Sequence, residues 1–462
     1  MPSRDVLRTK LLEPPLFAEK IWRLSPEPWP LSAAQLAELK VIGGACLSYQ
    51  RALERLYFRS ATDRKILRNR DLHAPWVAQY LDRHKPAGLI EHGRHRAVKG
   101  QHPVVLRPDL LITEQGFTMT ELDSVPGGVG LTAYLNEVYA EDFPGVVGGT
   151  DLPQRFHHAL AALTPEMRYP LIAIVVSEES ATYRPEFEWL AEKLRSIGHD
   201  THVVDPSQVM NMGGESFIPV DGAPRRADLL YRFFELFDLA NVKGADGIFA
   251  AVEAGKLVLT PPMKAFQEEK LGLALLHHPQ LAEFWKENLP EDHHEALMRI
   301  VPRTWIMERI DLPPTAVLHA PQVGGRTIRD WAELADASQR ERNLIIKASG
   351  FHETAWGARS VTLGSDVSRE EWLEAIDSAL HPDNETFHVL QEYHKPSRLR
   401  HPVFSDDGTV VQADGRVRLC PYFLVDGDTT ELSGVMATFC PADKKIIHGM
   451  TDAALLPCVL RA

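Results

Sequence analysis

The chain has 462 residues, of which 50 are Lys or Arg and 63 are Asp or Glu, so its formal net charge is −13. Hydrophobic residues make up 44% and charged residues 24% of the sequence, which is typical of folded globular proteins. The acidic balance argues against a general nucleic-acid-binding protein, and no apolar run approaches the roughly 20 residues of a membrane span. We therefore expect several folded domains, with neither nucleic acid nor a membrane as partner.

The N-terminal sequence and the cysteines bear on location. The first residues lack the long apolar stretch and small-residue cleavage site of a secretory signal, which predicts a cytoplasmic protein. The cysteines form no CxxC pair and no zinc-binding spacing, so we expect reduced thiols. These cysteines are Cys46, Cys420, Cys440 and Cys458.

The first two segments of the chain differ in their periodicity. Residues 1–100 form a mostly helical N-terminal region, with the clearest helical pattern over 32–59. Residues 101–164 begin with two strand-like runs and end in a stretch rich in Gly and Pro, which marks a boundary.

The last two segments have α/β character. In residues 165–262 the sequence predicts a continuous apolar strand at 171–176, a helix over 185–198 and a second strand. This order is that of a Rossmann-like α/β domain. No GxGxxG motif follows the first strand. Residues 263–462 return to mixed helices and strands, and the first of these is a predicted helix over 264–277. There, Ser368 precedes an apolar-faced helix with the spacing of a capping box.

The most informative segment is the predicted hairpin over 104–128. Two strand-like runs flank a short turn that contains Gly116. A register that pairs Thr113 with Phe117 would place Asp109 opposite Glu121. The period-two alternation of strands would then direct both carboxylates to one face of the hairpin.

The same register pairs Arg107 with Asp123. Directly opposed carboxylates such as Asp109 and Glu121 repel each other, and a hard cation such as Mg²⁺ would relieve that repulsion. An arginine beside them could bind a phosphate or a carboxylate. The alternative is a solvated hairpin with an Arg107–Asp123 salt bridge and a tolerated acidic pair.

A second group of residues suits nucleotide phosphates, although no Walker motif is present. Lys347 ends the apolar strand 343–347 and precedes a loop with Gly357 and Arg359, and glycines let backbone amides approach phosphate oxygens. A short apolar strand further on could present backbone groups to adenine through Gln391, Glu392 and Tyr393.

Together these features resemble a circularly permuted ATP-grasp ligase of the glutathionylspermidine synthase type. In that family an R-x-D strand is followed twelve residues later by E-x-N, and these residues bind metal and phosphate. Arg107, Asp109, Glu121 and Asp123 match this spacing, with Asp123 where the family has Asn. Thr438 or a neighbour stands where close relatives carry an arginine. The resemblance extends over about two-thirds of the chain, mostly 100–140 and 260–458.

The resemblance implies an α/β (mixed α+β) protein with a permuted ATP-grasp core and a preceding or inserted Rossmann-like domain. In it, residues 101–164 carry the metal-binding hairpin and residues 263–462 form the nucleotide-binding lobes. The implied cofactors are ATP and Mg²⁺. The metal ligands would be Asp109, Glu121 and Asp123, the catalytic residue Arg107, and the nucleotide contacts Lys264 or Lys270, Lys347, Gly357, Arg359, Gln391, Glu392 and Tyr393.

The implied reaction joins a carboxylate to an amine, with small amino-acid, peptide or polyamine-type substrates. ATP would phosphorylate the carboxylate, and the amine would displace phosphate to form an amide. Two alternatives remain open, a phosphotransferase on the same fold and a non-catalytic nucleotide-binding protein.

Overall fold

The computed structural model describes residues 2–12, 16, 22–61, 74–313, 316–355, 360–381, 383–447 and 452–461. The fold is mixed α+β, as predicted. The chain divides into two compact units. The first unit comprises Met1–Arg51, Glu91–Lys264 and Pro396–Ala462, and the second comprises Ala52–Ile90 and Ala265–Lys395. These units divide the chain differently from the four predicted segments, which remain a prediction.

The described residues contain the following α-helices: α1 Arg4–Leu12, α2 Ala33–Ala61, α3 Trp76–Asp82, α4 Ala87–Arg94, α5 Val129–Ala140, α6 Leu152–Ala161, α7 Arg184–Ser196, α8 Ala245–Glu253, α9 Leu271–Leu276, α10 Ala282–Asn288, α11 Glu291–Ile300 and α12 Arg369–Ala379. The strands are β1 Trp29–Leu31, β2 Val105–Thr113, β3 Gly116–Asp123, β4 Ile172–Val176, β5 Thr201–Val204, β6 Met210–Met212, β7 Glu215–Val220, β8 Ala223–Arg226, β9 Leu229–Phe233, β10 Val258–Thr260, β11 Thr304–Met307, β12 Leu344–Ala348, β13 Thr362–Leu363, β14 His388–Glu392, β15 Leu399–Phe404, β16 Val410–Asp426, β17 Thr429–Pro441 and β18 Ala454–Leu460. None of these helices is both long and apolar enough to cross a membrane.

The largest sheet lies in the first unit and joins distant parts of the chain. Its strand order is β1-β18-β17-β16-β2-β3, and β15 pairs with β16. The predicted hairpin is confirmed as β2 and β3, with β3 at the edge of the sheet. Strand β2 therefore lies between β3 and β16, a strand some 300 residues later in the chain.

The first unit also contains a parallel sheet of order β10-β9-β4-β5. The predicted strand–helix–strand order is confirmed, since β4 and β5 pair in parallel and α7 connects them. All five residues of β4 are buried, as expected for a strand covered on both faces. The antiparallel sheet β6-β7-β8 was not predicted, because β6 and β8 have only three and four residues and β8 is exposed throughout.

The second unit is built on the antiparallel sheet β11-β14-β12-β13. Helix α12 packs against one face of this sheet, and side chains such as Trp372, Ile376 and Ile346 form its core. The helix begins as predicted, because Ser368 accepts a hydrogen bond from the amide of Glu371 and completes a capping box. The predicted helix over 264–277 is shorter in the structure, where only Leu271–Leu276 is α-helical.

Candidate functional site

The hairpin register brings together the predicted acidic pair. Asp109 lies opposite Glu121, and Arg107 lies opposite Asp123, as predicted. The predicted pairing at the turn was wrong by one residue, because Thr113 pairs with Gly116 rather than with Phe117. A β-bulge between Asp109 and Leu110 shifts the register by one residue and restores the predicted pairs.

Arg107 lies at the centre of the hairpin cluster, which comprises Arg107, Asp109, Glu121 and Asp123. Its Nε lies 3.0 Å from Asp109 Oδ1, and its Nη2 lies 2.9 Å from Asp123 Oδ2. Its Nη1 also donates a hydrogen bond to the carbonyl of Gly127 at 3.0 Å. Two of these contacts are ion pairs and one is a hydrogen bond, and together they orient the guanidinium group against the hairpin.

Arg418 is a site residue that the sequence analysis missed. It lies on β16 opposite Leu111, two residues along β2 from Asp109 and therefore on the same face of the sheet. Its Nη1 lies 2.9 Å from Asp109 Oδ2. The only sequence signal was an arginine within an otherwise apolar run, and that signal becomes informative only when β16 is known to neighbour β2.

The surroundings shift the pKa values of the two aspartates in opposite directions. Burial is the largest influence on Asp109 and opposes ionisation, but Arg107 and Arg418 outweigh it and lower the pKa of this carboxyl. For Asp123, burial is again the largest influence. The negative charge of Glu121 reinforces it against Arg107, so the pKa of Asp123 is raised.

Cys420 and Tyr422 complete the buried side of the cluster. The Cys420 thiol lies 3.5 Å from Asp109 Oδ1, and burial raises its pKa to about 11, so it remains a neutral thiol at physiological pH. The Tyr422 hydroxyl donates a hydrogen bond to the carbonyl of Gly127 at 2.8 Å. Strand β16 therefore supplies neutral polar groups as well as Arg418 to this face.

The glycine-rich turn after β3 packs tightly on this cluster. A Cβ atom at Gly127 would lie 2.1 Å from the ring of Tyr183, so any side chain there would force that ring to move. The Glu186 carboxylate accepts hydrogen bonds from the amides of Gly128 and Leu131 at 2.6 and 2.8 Å. Glu186 thus occupies the N-terminus of α5, where an anionic ligand could otherwise bind.

The observed contacts do not fit a divalent cation at the hairpin. Both oxygens of Asp109 face arginines, and Asp123 is bound by Arg107 and by the amide of Val125 at 2.8 Å. Among the described residues, no three His, Cys, Asp or Glu side chains are grouped so that they could hold a metal ion. The assignment of Asp109, Glu121 and Asp123 as Mg²⁺ ligands stays a prediction.

In the second unit, the predicted nucleotide residues Lys347 and Gln391 are in contact. The Nζ of Lys347 donates a hydrogen bond to Gln391 Oε1 at 2.8 Å, and Gln391 Nε2 donates to Thr304 Oγ1 at 3.1 Å. The three residues lie on the neighbouring strands β12, β14 and β11. Lys347 is only 9% exposed, and its assignment as a phosphate contact stays a prediction.

Glu392 and Tyr393 lie at the end of the same sheet. Their amides donate hydrogen bonds to the carbonyls of Arg303 and Asn343, both at 2.9 Å, so these two donors already have acceptors. Both residues line a cavity of about 680 Å³ within the second unit, which also includes Trp305 and His319. Its volume falls in the range of small-molecule sites, and the assignment of Glu392 and Tyr393 to adenine binding stays a prediction.

The remaining predicted nucleotide residues differ in how they are held. Lys264 lies in the first unit, is fully buried, and donates to the carbonyl of Gln101 at 2.6 Å. Lys270 lies in the second unit, is partly buried, and donates to the carbonyl of Ala355 at 2.7 Å. Because it is less buried and belongs to the same unit as Lys347, Lys270 is the better candidate for a nucleotide contact. Gly357 and Arg359 lie outside the described residues.

Comparison with known proteins gives a likeness in fold alone. No family model matches the chain, and no curated protein matches it. A solved glutathione synthetase-like effector from Globodera pallida is 12% identical with a TM-score of 0.55, and the match covers 95% of this chain and 90% of that one. A provisionally assigned gamma-glutamylcysteine synthetase from Methylobacillus flagellatus is 11% identical with a TM-score of 0.43, over 93% and 89% of the two chains. The chain therefore has the overall fold of the Globodera protein.

Proposed function

We propose that this protein is an ATP-dependent ligase of the ATP-grasp type that joins a carboxylate to an amine. The observation that carries the proposal is the hairpin register, which holds the residues of the R-x-D and E-x-D motifs on one face of a sheet. The fold shared with a glutathione synthetase-like effector agrees with an amide-forming ligase. The proposed substrates are small amino-acid, peptide or polyamine-type molecules, and the cytoplasmic location stays part of the proposal.

In this reaction the substrate carboxylate oxygen attacks the γ-phosphorus of ATP, and the bond from that phosphorus to the bridging oxygen breaks to release ADP. The amine nitrogen then attacks the acyl phosphate, expels orthophosphate and loses a proton as the amide forms. Within the second unit, Lys347 would neutralise phosphate charge, and the cavity beside Tyr393 would accept the nucleobase.

Within the first unit, Arg107 would stabilise negative charge that develops on the transferred group. Its guanidinium group is already oriented by Asp109, Asp123 and the Gly127 carbonyl, so no reorganisation is needed when an anion arrives. Preorganised cationic donors of this kind contribute most in sites from which water is excluded.

The proposal is tested by screening ADP release over mixtures of amines and carboxylates and identifying products by mass spectrometry. We expect an amide together with stoichiometric ADP and orthophosphate. AMP and pyrophosphate would contradict the ligase assignment. A stable phosphorylated product would favour the phosphotransferase, and ATP binding without turnover would favour a non-catalytic nucleotide-binding protein.

A matched pair of lysine variants separates nucleotide binding from general effects. Lys347→Met removes the ammonium group beside Gln391, and we expect ATP affinity to fall about tenfold or more, because charge-assisted hydrogen bonds contribute about 1.5–3 kcal/mol. Lys286→Met removes an exposed lysine of the same unit that is paired with Glu283 and should leave ATP affinity unchanged. Equal effects of the two variants would remove Lys347 from the proposed site.

A further inference from the structure

The contacts of Asp109 are those of an ion-paired carboxylate rather than of a metal ligand. Arg107 Nε lies 3.0 Å from one oxygen, and Arg418 Nη1 lies 2.9 Å from the other. The Asp109 side chain is only 6% exposed, and each of its two oxygens already faces a guanidinium group. A divalent cation bound here would also lie close to two guanidinium groups, and at a buried position solvent screens their repulsion only weakly.

Arg418 has hydrogen-bonding capacity that its contact with Asp109 does not use. Its Nε atom is buried and has no hydrogen-bond partner in the described part of the chain. Thr438 lies directly opposite Arg418 on β17, is fully buried, and its hydroxyl also has no partner there. At one register position the sheet therefore holds an N–H group and an O–H group that both lack acceptors, and both can donate to an oxygen.

We propose that Arg418 takes the place of a divalent cation at Asp109 and that the hairpin binds an oxyanion directly, through Arg418 and Thr438, without metal. The Arg418 side chain is 22% exposed, which leaves it accessible to a ligand. The oxyanion would be the phosphoryl or the carboxylate group of the proposed ligase substrates. Its identity rests on the proposed function, whereas the exclusion of metal does not.

The exclusion of metal is tested on the full chain with Mn²⁺ alone, followed by electron paramagnetic resonance. We expect no binding to the wild type up to millimolar Mn²⁺, and binding at least tenfold tighter in Arg418→Gln, because that variant leaves Asp109 with one counter-ion. Arg418→Lys keeps the positive charge and should behave like the wild type. Arg400→Gln removes an exposed arginine paired with Asp414 and serves as the control for a lost charge.

The oxyanion is tested by titrating inorganic phosphate and, separately, acetate in the presence of EDTA. We expect one of the two to bind the wild type and to bind at least tenfold more weakly to Thr438→Val, a variant of nearly the same shape. Because the Thr438 hydroxyl is buried without a partner, this variant should also melt at an equal or higher temperature. A merely structural hydroxyl would instead leave oxyanion affinity unchanged.

Several results would overturn the inference. Mn²⁺ binding to the wild type, or no gain of binding in a folded Arg418→Gln protein, would show that Arg418 does not replace the cation. Failure of both phosphate and acetate to bind would remove the oxyanion site. None of these measurements uses ATP turnover, so a failed ligase assay would not contradict the inference. Conversely, active ligation with Mn²⁺ bound at the hairpin would refute the inference but not the ligase assignment.

Discussion

The substitution Asp109→Asn should destabilise the protein even without any ligand. It removes the negative charge that two arginines share at 3.0 and 2.9 Å, in a side chain that is 6% exposed. Removing one partner of a buried ion pair typically costs about 3–5 kcal/mol, because the other charge stays buried without compensation. Asparagine retains one oxygen acceptor, so we expect a loss near 3 kcal/mol, measured by urea unfolding at pH 7.

Glu121→Gln is the matched control for this prediction. Glu121 lies directly opposite Asp109 but is partly exposed, and the two carboxylates repel each other. We therefore expect this variant to change the free energy of unfolding by less than about 0.5 kcal/mol, in either direction. If Asp109→Asn left stability unchanged or raised it, the arginine-paired cluster would be the wrong description and the metal-site interpretation would be favoured.

The pH dependence gives an independent check on the same carboxylate. Because the pKa of Asp109 is lowered below its ordinary value of 3.8, its contribution to stability is fully present above that value and is lost as the pH falls through the lower pKa of the folded state. The difference in unfolding free energy between the wild type and Asp109→Asn should therefore be constant near neutral pH and should shrink only below about pH 4. A difference that disappeared near pH 6 would assign the effect to another group.

Two further predictions concern the first unit. Burial lowers the pKa of His401 from 6.5 to about 4, so stability should fall as the pH drops from 6.5 to 4, by an amount on the order of 3 kcal/mol, and His401→Gln should reduce this acid sensitivity in pH-dependent urea unfolding. An unchanged pH profile would contradict this assignment. Gly148 has φ +87°, and a Cβ there would lie 2.0 Å from the carbonyl oxygen of Ser433, so Gly148→Ala should cost clearly more than the ~1–2 kcal/mol of left-handed backbone strain. Gly100→Ala, at φ +81° with open space around it, measures the strain alone, and equal losses in thermal unfolding would refute the steric argument.

The hairpin was predictable because local rules determine it. A short turn with Gly116 between two apolar runs predicts the strands, and alternation places Arg107 and Asp109 on one face. The paired positions came out as predicted although the turn register was off by one residue. The turn shifts the strand register by one residue from the predicted one. The bulge between Asp109 and Leu110 shifts it back by one residue, so the two deviations cancel. A bulge leaves no clear signal in a single sequence, so this agreement was partly fortuitous.

The charges around the hairpin were not predictable, because they come from sheet neighbours that are distant in sequence. Arg418 reaches Asp109 only because β16 pairs with β2 across some 300 residues. The same sheet brings Thr438 opposite Arg418. In the second unit, Lys347 was identified as the end of a buried strand, but its hydrogen bond to Gln391 depends on the pairing of β12 with β14. Periodicity predicts a strand and its faces, but it does not predict which strand lies beside it.

If Arg418 takes the place of the cation, the spacing of the motif alone does not determine which ion the hairpin binds. The R-x-D and E-x-D residues of this chain have the spacing of a cation site, and their register agrees with that spacing. The neighbouring strand nevertheless contributes a second guanidinium group to Asp109, so that two positive charges oppose a carboxylate that the motif alone would leave to a metal. An inner strand of a sheet has a neighbour on each side, and here that neighbour adds Arg418 to the one arginine and three carboxylates of the hairpin. Thr438 lies opposite Arg418 and supplies a neutral hydroxyl group, which does not repel an anion.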